Sequence, residues 1–353
     1  MAAEASAPLT QATSIRIWLF ALGYFTAYVP YTLLTKSITA GHAGSVRSVA
    51  WTGTAMLPLA TATSVVGMLV FLSAMGWWKH ALHVRVGPFN LPRPRLVTLM
   101  SGVATAAIVL TTTLAYSFDG ISILFAMLLM RGGVLVMAPI VDRLSGRAFA
   151  TIPWWSWTGS GLALVALFVG FVEDRGARLT VAAGVVIAIY LVAYFVRLRW
   201  MSTQTKSSGL SMEEARVRRI AFFVEEQMVA TPLALIGLAL MTLLPSRFGS
   251  ELARGFTEIW RHGDLMLLVA ATGLCSQFAG VFGALVLLEP QENAFTVPVN
   301  RASSVLSGVI SSLLLSALFA TALPSAYELV GAGVVVLAIL ALSYPVVRAA
   351  LKR

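Results

Sequence analysis

The stretch DLMLLVAATGLCSQFAGVFGALVLL, residues 264–288, decides the fold class of this chain. After Asp264 no charged residue occurs until Glu289, and most positions between them are apolar. A helix of about 20 such residues crosses the hydrocarbon core of a bilayer. Because lipid offers no hydrogen-bond partner to bare backbone, a continuous apolar run of this length predicts a transmembrane helix.

Ten runs of this kind lie along the chain. They cover residues 16–36, 49–76, 96–117, 120–141, 153–173, 178–198, 222–244, 264–288, 294–320 and 324–347. The composition agrees, because 58% of the residues are hydrophobic and 11% are charged, whereas about 25% are charged in a typical soluble domain. The nine tryptophans lie near the ends of these runs, as expected at the two membrane interfaces. We therefore predict an all-α integral membrane protein with ten transmembrane helices.

Lysine and arginine residues are concentrated in the loops on the side that carries both termini. Such an excess is typical of cytoplasmic loops, so both termini are predicted to be cytoplasmic, in a bacterial cytoplasmic membrane. The net charge of +10 belongs to these loops, and membrane lipids rather than nucleic acid are the expected neighbours.

Motifs of known catalytic chemistry are missing from the sequence. It contains no Walker A motif, no Gly-rich dinucleotide fingerprint and no G-x-S-x-G motif. The four histidines fall in loops, and although His80 and His83 are three residues apart, further ligand candidates are lacking near them. We therefore predict no enzyme activity, no catalytic residue, no cofactor and no metal.

The order of the runs predicts two halves of opposite orientation. The predicted segments are a cytoplasmic segment (1–15), a first repeat (16–173), a second repeat (178–347) that begins with the sixth span (178–198), and a basic cytoplasmic tail (348–353). Within the second repeat, a cytoplasmic linker at 199–221 contains the start of a basic amphipathic helix and precedes spans seven to ten at 222–347. Two inverted repeats of five helices are a construction typical of transporters, with the substrate site near the midplane.

A register between the halves supports this interpretation. An offset of 170 residues aligns the pairs Arg131 with Arg301, Phe125 with Phe295, Gly161 with Gly331, and Asp119 with Glu289. Apolar helices agree easily by chance, but two lone intramembrane arginines agree less easily.

Arg131 and Arg301 are the two basic residues that we assign to the interior of spans rather than to loops. Arg131 should lie about 16 Å along its helix from Gly120 at 1.5 Å per residue, near the middle of a hydrocarbon core about 30 Å thick. An arginine at this depth costs at least about 2.5–3.5 kcal/mol and normally faces a cavity or a partner. One hypothesis is that the two guanidinium groups converge on an anion, since arginine offers a planar fork of donors. The alternative is an internal ion pair with Glu225, Glu226 or Glu328.

The first span predicts a further part of the site. Tyr28 and Tyr31 share a helical face with Tyr24, and Lys36 ends the span. These residues are interpreted either as a polar cavity wall with Lys36 as an outer electrostatic gate, or as an interfacial belt with a snorkelling lysine.

Other polar residues within the runs are weaker candidates. Gln277 is a candidate hydrogen-bonding group of the cavity, and Tyr116 at the end of the third span is grouped with it. Glu225 and Glu226 begin the seventh span, where a carboxylate could carry a coupling proton. The alternative for both is an interfacial cap near the basic residues Arg216, Arg218 and Arg219.

Two short segments resemble a known family. AYS at residues 115–117, followed by the fourth span and by PIVDRLS at residues 139–145, is similar to a local pattern of the drug/metabolite transporter superfamily. In that pattern Asp142 stands where the family usually has glutamate, and the second half shows no clear copy. The chain therefore resembles the ten-span, EamA-like branch and the nucleotide-sugar and organophosphate transporters.

This resemblance implies two inverted five-helix repeats around a central cavity. It also implies basic residues on the fourth and ninth helices that hold phosphate, which are the helices of Arg131 and Arg301. From the residues and the resemblance together we expect a secondary transporter that moves an anionic phosphorylated or carboxylated small organic solute by alternating access. A flippase for a lipid or polyprenyl-phosphate-linked headgroup on the same fold is the alternative. A membrane assembly protein without transport activity is a weaker one.

Overall fold

The computed structural model describes residues 7–41, 51–115, 123–145, 154–172, 181–206, 211–320, 323 and 326–351. The α-helices in these ranges are α1 Ala7–Thr39, α2 Gly53–Ala74, α3 Leu96–Ala115, α4 Ile123–Leu144, α5 Trp154–Val172, α6 Val181–Thr205, α7 Met212–Met241, α8 Arg247–Thr257, α9 Gly263–Leu288, α10 Asn293–Phe319 and α11 Ala326–Leu351. Each of the ten predicted runs corresponds to one of the long helices, which are all of these except α8.

The described helices are those of an integral membrane protein. By length and composition six are able to cross a bilayer, in the segments Ile15–Thr39, Gly53–Ala74, Val181–Thr205, Glu213–Met241, Gly263–Leu288 and Asn293–Phe319. Three more contain shorter apolar stretches, at Leu96–Thr112, Trp157–Ala166 and Leu329–Leu342. The membrane prediction is confirmed at this level.

Two boundaries in the structure differ from those predicted from the sequence. The first helix begins at Ala7, so it extends into the segment predicted to precede the span. The predicted linker at 199–221 is mostly helical, because α6 continues to Thr205 and α7 begins at Met212. Ser211 caps α7 reciprocally with Glu214, each side chain bonding the other residue's backbone N–H. This capping box stabilises a helix start that apolar run length alone does not reveal.

Short elements occupy two of the connections. Phe248, Leu252, Phe256 and Ile259 recur at the spacing of a helix. The first three lie in α8 and Ile259 lies in the 3-10 helix that follows it, Ile259–Arg261, and Phe248, Leu252 and Ile259 are buried. Between α2 and α3, a 3-10 helix, Trp77–His80, leads into an antiparallel hairpin of β1, Leu82–Val86, and β2, Phe89–Arg93. This hairpin departs from the all-α prediction. Its strands are shorter than any membrane-crossing element, so run length gives no signal for it.

The long helices pack in a regular pattern. The first helix α1 packs against α9 and α10, and α6 packs against α3 and α4. The pairs α2–α9 and α3–α7 are also in contact, as are α5–α11, α4–α10 and α2–α7. The largest buried cluster joins residues of α2, α4, α6, α7 and α9, so the core lies between helices from both halves of the chain.

Glycine allows α2 and α9 to approach closely. A Cβ on Gly273 would lie against the carbonyl oxygen of Ala60 and 2.9 Å from its Cα. Ser64 also donates a hydrogen bond of 2.9 Å to the Gly273 carbonyl. The two backbones are therefore in direct contact at this crossing, as small residues permit in membrane proteins.

Replacing this glycine should separate the two helices. Gly273→Ala is expected to destabilise the protein by about 1–3 kcal/mol, because overpacked backbone has to shift. Gly280→Ala in the same helix is the matched control, since no described atom lies within 4 Å of its new Cβ and alanine favours helix by about 1 kcal/mol. Thermal unfolding in detergent measures both variants. Equal melting temperatures would contradict the close approach.

Candidate functional site

Arg301 lies in α10 and points toward α6. Its Nη2 donates a hydrogen bond to the Tyr194 hydroxyl, and its guanidinium carbon lies 5.0 Å from the centroid of the Tyr194 ring. The Arg301 Nε is buried without a hydrogen-bond partner in the described part of the chain. Within the same ranges, no carboxylate forms an ion pair with this arginine. The site therefore keeps a positive charge and one unused donor at its centre.

Arg131 reaches the same part of α10 from α4. Its Nη1 donates to Ser304 at 3.3 Å, and its Nη2 donates to the Tyr28 hydroxyl at 3.4 Å. Both bonds are longer than typical N–H···O bonds of 2.7–3.2 Å. Ser304 itself donates to the Arg301 carbonyl at 2.8 Å. Ser304 therefore links Arg131 to the helical turn that carries Arg301.

Tyrosines from two helices surround the arginines. On α1 the ring centroids of Tyr24 and Tyr28 are 5.4 Å apart, and those of Tyr28 and Tyr31 are 5.3 Å apart. On α6 the rings of Tyr190 and Tyr194 are 5.4 Å apart. Tyr24 is near enough to the guanidinium groups of Arg131 and Arg301 to interact with them electrostatically. We call these five tyrosines, Arg131, Arg301 and Ser304 the central cluster.

The central cluster includes residues that the sequence analysis missed. Tyr190, Tyr194 and Ser304 were not named as site residues. The offset of 170 residues also aligns Tyr24 with Tyr194, so the register that selected the arginines could have found this pair. Ser304 had no such signal, because a serine in a helix more often bonds only to its own backbone.

Lys36 lies beyond the central cluster, near the end of α1. Its side chain is exposed, and its Nζ donates to Ser312 at 2.7 Å. Ser312 is on α10, so this bond joins the same two helices that meet at the cluster. Lys36 is therefore an exposed positive charge at the contact between α1 and α10.

Glu225 and Glu226 lie in other contacts than those proposed from the sequence. Glu226 is fully buried and pairs with Arg197 of α6 through bonds of 2.9 and 3.0 Å. Glu225 is also fully buried and accepts the backbone N–H groups of Leu82 and Arg95 at 3.0 and 3.1 Å. Among the described residues, neither forms an ion pair with Arg216, Arg218 or Arg219, or with the central arginines.

Arg197 is a related correction. The predicted excess of basic loop residues on the side of both termini includes Arg197. In the structure this residue instead lies within α6 and is 7% exposed. Burial is tolerated because both Glu226 oxygens accept from its guanidinium, and Ser101 and Thr105 also donate to Glu226 at 2.6 and 3.0 Å. A pair satisfied in this way removes a charge from the surface that its sequence position suggested.

The remaining predicted residues lie elsewhere or outside the described residues. Gln277 is buried between α9 and α2, where its amide approaches the Met68 sulfur at 3.5 Å. It therefore forms no bond to the central cluster. Tyr116 lies outside the described residues, and so does the side chain of Glu328.

Asp142 belongs to a second polar cluster. Its Oδ1 accepts from the Asn293 side chain at 2.8 Å, and its Oδ2 accepts from the Ala294 N–H at 2.9 Å. Lys206 donates to the Asn293 side chain at 2.9 Å, and Asn293 donates to Ser202 at 2.6 Å. These residues, which we call the end clamp, join the ends of α4 and α6 to the start of α10. Asp142 thus satisfies a backbone donor that a helix start leaves open.

Neither a metal site, among the described residues, nor a match to a known family or curated protein was found for this chain. In the part of the chain that the structure describes, no group of three or more His, Cys, Asp or Glu side chains is arranged to hold a metal ion. No protein-family model and no curated protein sequence match this chain.

Proposed function

We propose that the protein is a secondary transporter for an anionic small organic solute. The observation that carries the proposal is the central cluster, where Arg301 has a buried, unused Nε and no carboxylate partner in the described ranges. A charged group at this depth is a functional feature by default. A phosphate or carboxylate would supply the missing acceptor, because arginine binds both in a planar, bidentate geometry.

The tyrosines suit the rest of such a solute. Their hydroxyl groups donate or accept hydrogen bonds, while their rings offer apolar contact area. A ligand that combines an anionic group with a ring or sugar would use both properties. This is the composition expected of a binding site with few, well-placed polar groups.

The proposal includes two inverted repeats, as in the drug/metabolite transporters. In this proposal, helices α1 to α5 of the first half correspond in order to α6, α7, α9, α10 and α11 of the second half. Exchanging each helix for its counterpart turns the α1–α9 contact into the α6–α3 contact. The same exchange converts α2–α9 into α7–α3 and α1–α10 into α6–α4, and it leaves α5–α11, α4–α10 and α2–α7 unchanged. All of these contacts occur. A packing pattern with this internal symmetry supports the repeat and, with it, ten spans.

In an alternating-access cycle, the polar contacts at the two ends of the helices would open at different times. The end clamp closes the side of both termini, which we propose is cytoplasmic, through Asp142, Asn293, Lys206 and Ser202. At the other end, one exposed bond between Lys36 and Ser312 joins α1 and α10. We infer that the end clamp opens when the solute leaves toward the cytoplasmic side.

A lipid-headgroup flippase is the second candidate. An apolar groove of about 550 Å³ is lined by Gly132 and Gly133 of α4, with Leu164 and Phe168 of α5 among its other walls. This groove could hold an acyl or polyprenyl chain. However, at 3.6 residues per turn it lies on a face of α4 roughly opposite to Arg131. Tail and headgroup would be separated by α4, and a solute therefore fits the site better.

A binding screen tests the proposal and separates the two candidates. Phosphorylated sugars, nucleotide sugars, dicarboxylates and short-chain polyprenyl phosphates are each added to the purified protein in detergent. A ligand at 100 times its Kd stabilises the folded state by about 2.7 kcal/mol, so the melting temperature should rise with a water-soluble anion. A rise with polyprenyl phosphate alone would favour the flippase. No rise with any of these anions would count against both.

A further inference from the structure

The β1–β2 hairpin has one apolar face. Val84 pairs with Leu91 and Val86 pairs with Phe89 across the strands, and Leu82 precedes them on the same face. Arg93, the partner of Leu82, lies on this face at the base of the hairpin, and the opposite face carries His83 and Arg85 with their partners Pro92 and Asn90. Because neighbouring residues of a strand point to opposite sides, five apolar side chains are gathered on a single surface, which we call the hairpin face.

The hairpin face is uncovered in the structure. Phe89 is 67% exposed and Val86 is 56% exposed, and the other three apolar side chains are also exposed. A two-stranded hairpin is at best marginally stable in water by itself. Exposed apolar patches of this kind mark contacts with a protein or a membrane.

The base of the hairpin is held at the ends of the membrane helices. Leu82 at its start and Arg95 just after its end both donate backbone hydrogen bonds to Glu225 of α7. Leu96 begins α3, and the 3-10 helix at Trp77–His80 joins the hairpin to α2. The hairpin is therefore tethered within a few residues of the bilayer at both ends, on the side of both termini.

The charge around the hairpin favours one kind of surface. Its basic residues are Lys79, Arg85, Arg93 and Arg95, and no acidic residue occurs between Gly76 and Phe118. The pKa of His80 is lowered by its partial burial and then by the nearby charges of Lys79 and Arg216. His80 therefore contributes less positive charge at pH 7 than a free histidine does. Juxtamembrane basic residues are attracted to anionic lipid.

We propose that the hairpin face lies in the headgroup region of the adjacent leaflet and is held there by anionic lipid. Apolar residues would enter the boundary between headgroups and acyl chains, as those of interfacial amphipathic segments do. Arg93, on the hairpin face beside Leu82, would contact lipid phosphates directly, while Arg85 on the opposite face would add to the positive charge near the headgroups. This inference concerns a lipid contact outside the central cluster and is independent of the proposed transport activity.

Site-specific fluorescence tests the inference on the full-length protein in nanodiscs. Cys275 is the single cysteine and is first replaced by alanine. Phe89→Cys on the hairpin face and Asn90→Cys on the opposite face are then labelled with the polarity-sensitive dye NBD. With phosphatidylglycerol present, the dye at position 89 should emit at shorter wavelength and be quenched by lipids brominated near the headgroup. The dye at position 90 should show a smaller effect of both kinds.

The role of charge is tested in the same discs. Removing phosphatidylglycerol, or introducing Arg85→Ser with Arg93→Ser, should lower the quenching at position 89, and so should high salt. Val84→Cys is a second reporter on the same face in case the Phe89 variant misfolds. Water-like emission without quenching at both positions would overturn the proposal. A wavelength shift without bromolipid quenching, lost when each disc holds one copy, would overturn it in favour of a second copy of the chain.

Discussion

Arg301→Ala is expected to abolish transport while leaving the protein folded. Hydrogen bonds to charged groups contribute about 1.5–3 kcal/mol each, so loss of a two-bond contact should lower uptake by roughly 100-fold or more. Folding should survive because Arg301 has no carboxylate partner in the described ranges that removal would leave unpaired. Uptake into proteoliposomes of the anion found in the binding screen measures the effect.

Two matched variants control this experiment. Arg216→Ala removes an arginine that is 63% exposed and distant from the central cluster, so uptake should stay at the wild-type level. Arg301→Lys keeps the charge but loses the planar fork of donors, and should retain only part of the activity. Arg131→Ala is expected to behave like Arg301→Ala. Wild-type uptake by both alanine variants would refute the proposed site.

Glu226→Gln is expected to have the largest effect on stability. It leaves the Arg197 guanidinium buried without its charged partner, and breaking a buried pair in this way costs about 3–5 kcal/mol. The melting temperature in detergent should fall strongly. Glu213→Gln is the matched control, because its partner Arg216 and Glu213 itself are 63% and 73% exposed, and exposed pairs contribute about 0–1 kcal/mol.

A double variant tests whether the loss of stability comes from leaving the Arg197 charge unpaired or from losing the ion pair itself. Arg197→Met with Glu226→Met removes both charges and fills similar volume, and should recover much of the lost stability because apolar replacements of buried pairs are often well tolerated. Ser101 and Thr105 then lose their acceptor, so recovery should be incomplete. If Glu226→Gln melts together with Glu213→Gln, the ion pair contributes no more than a surface pair does.

Run length predicted the long helices well. Each of the ten runs corresponds to one helix, because backbone in lipid has to satisfy its own hydrogen bonds. Boundaries were less well predicted, since Ser211 and Glu214 begin α7 well before its apolar run. The hairpin was not predicted, because its five apolar side chains are too few for a span and gather on one face only after the strands pair.

Part of the central cluster could be predicted from the sequence. Charged residues inside apolar runs are rare, so Arg131 and Arg301 stood out, and Tyr28 followed from its place on the face of α1. Tyr194 could have been found from the same register, because the offset of 170 residues aligns it with Tyr24. Ser304 required knowing that α4 packs against α10 and brings Arg131 to it. Gln277 looked equivalent to a cavity residue in sequence, yet the rotation of α9 directs it to Met68 of α2.

The sequence by itself determined that this is a helical membrane protein and that Arg131 and Arg301 lie inside apolar helices rather than in loops. Both follow from the low dielectric of lipid, which acts on every residue according to its type. The tertiary structure decided which partner each charge has. Arg197 forms an ion pair with Glu226, and Glu225 accepts hydrogen bonds from the base of the hairpin. Arg301 contacts Tyr194 and keeps its Nε without a hydrogen-bond partner in the described part of the chain. These outcomes depend on the rotation of each helix and on which helices are neighbours. Arg301 and Tyr194 are 107 positions apart in the sequence, and Glu225 is 143 positions from Leu82, so no local pattern encodes the contacts.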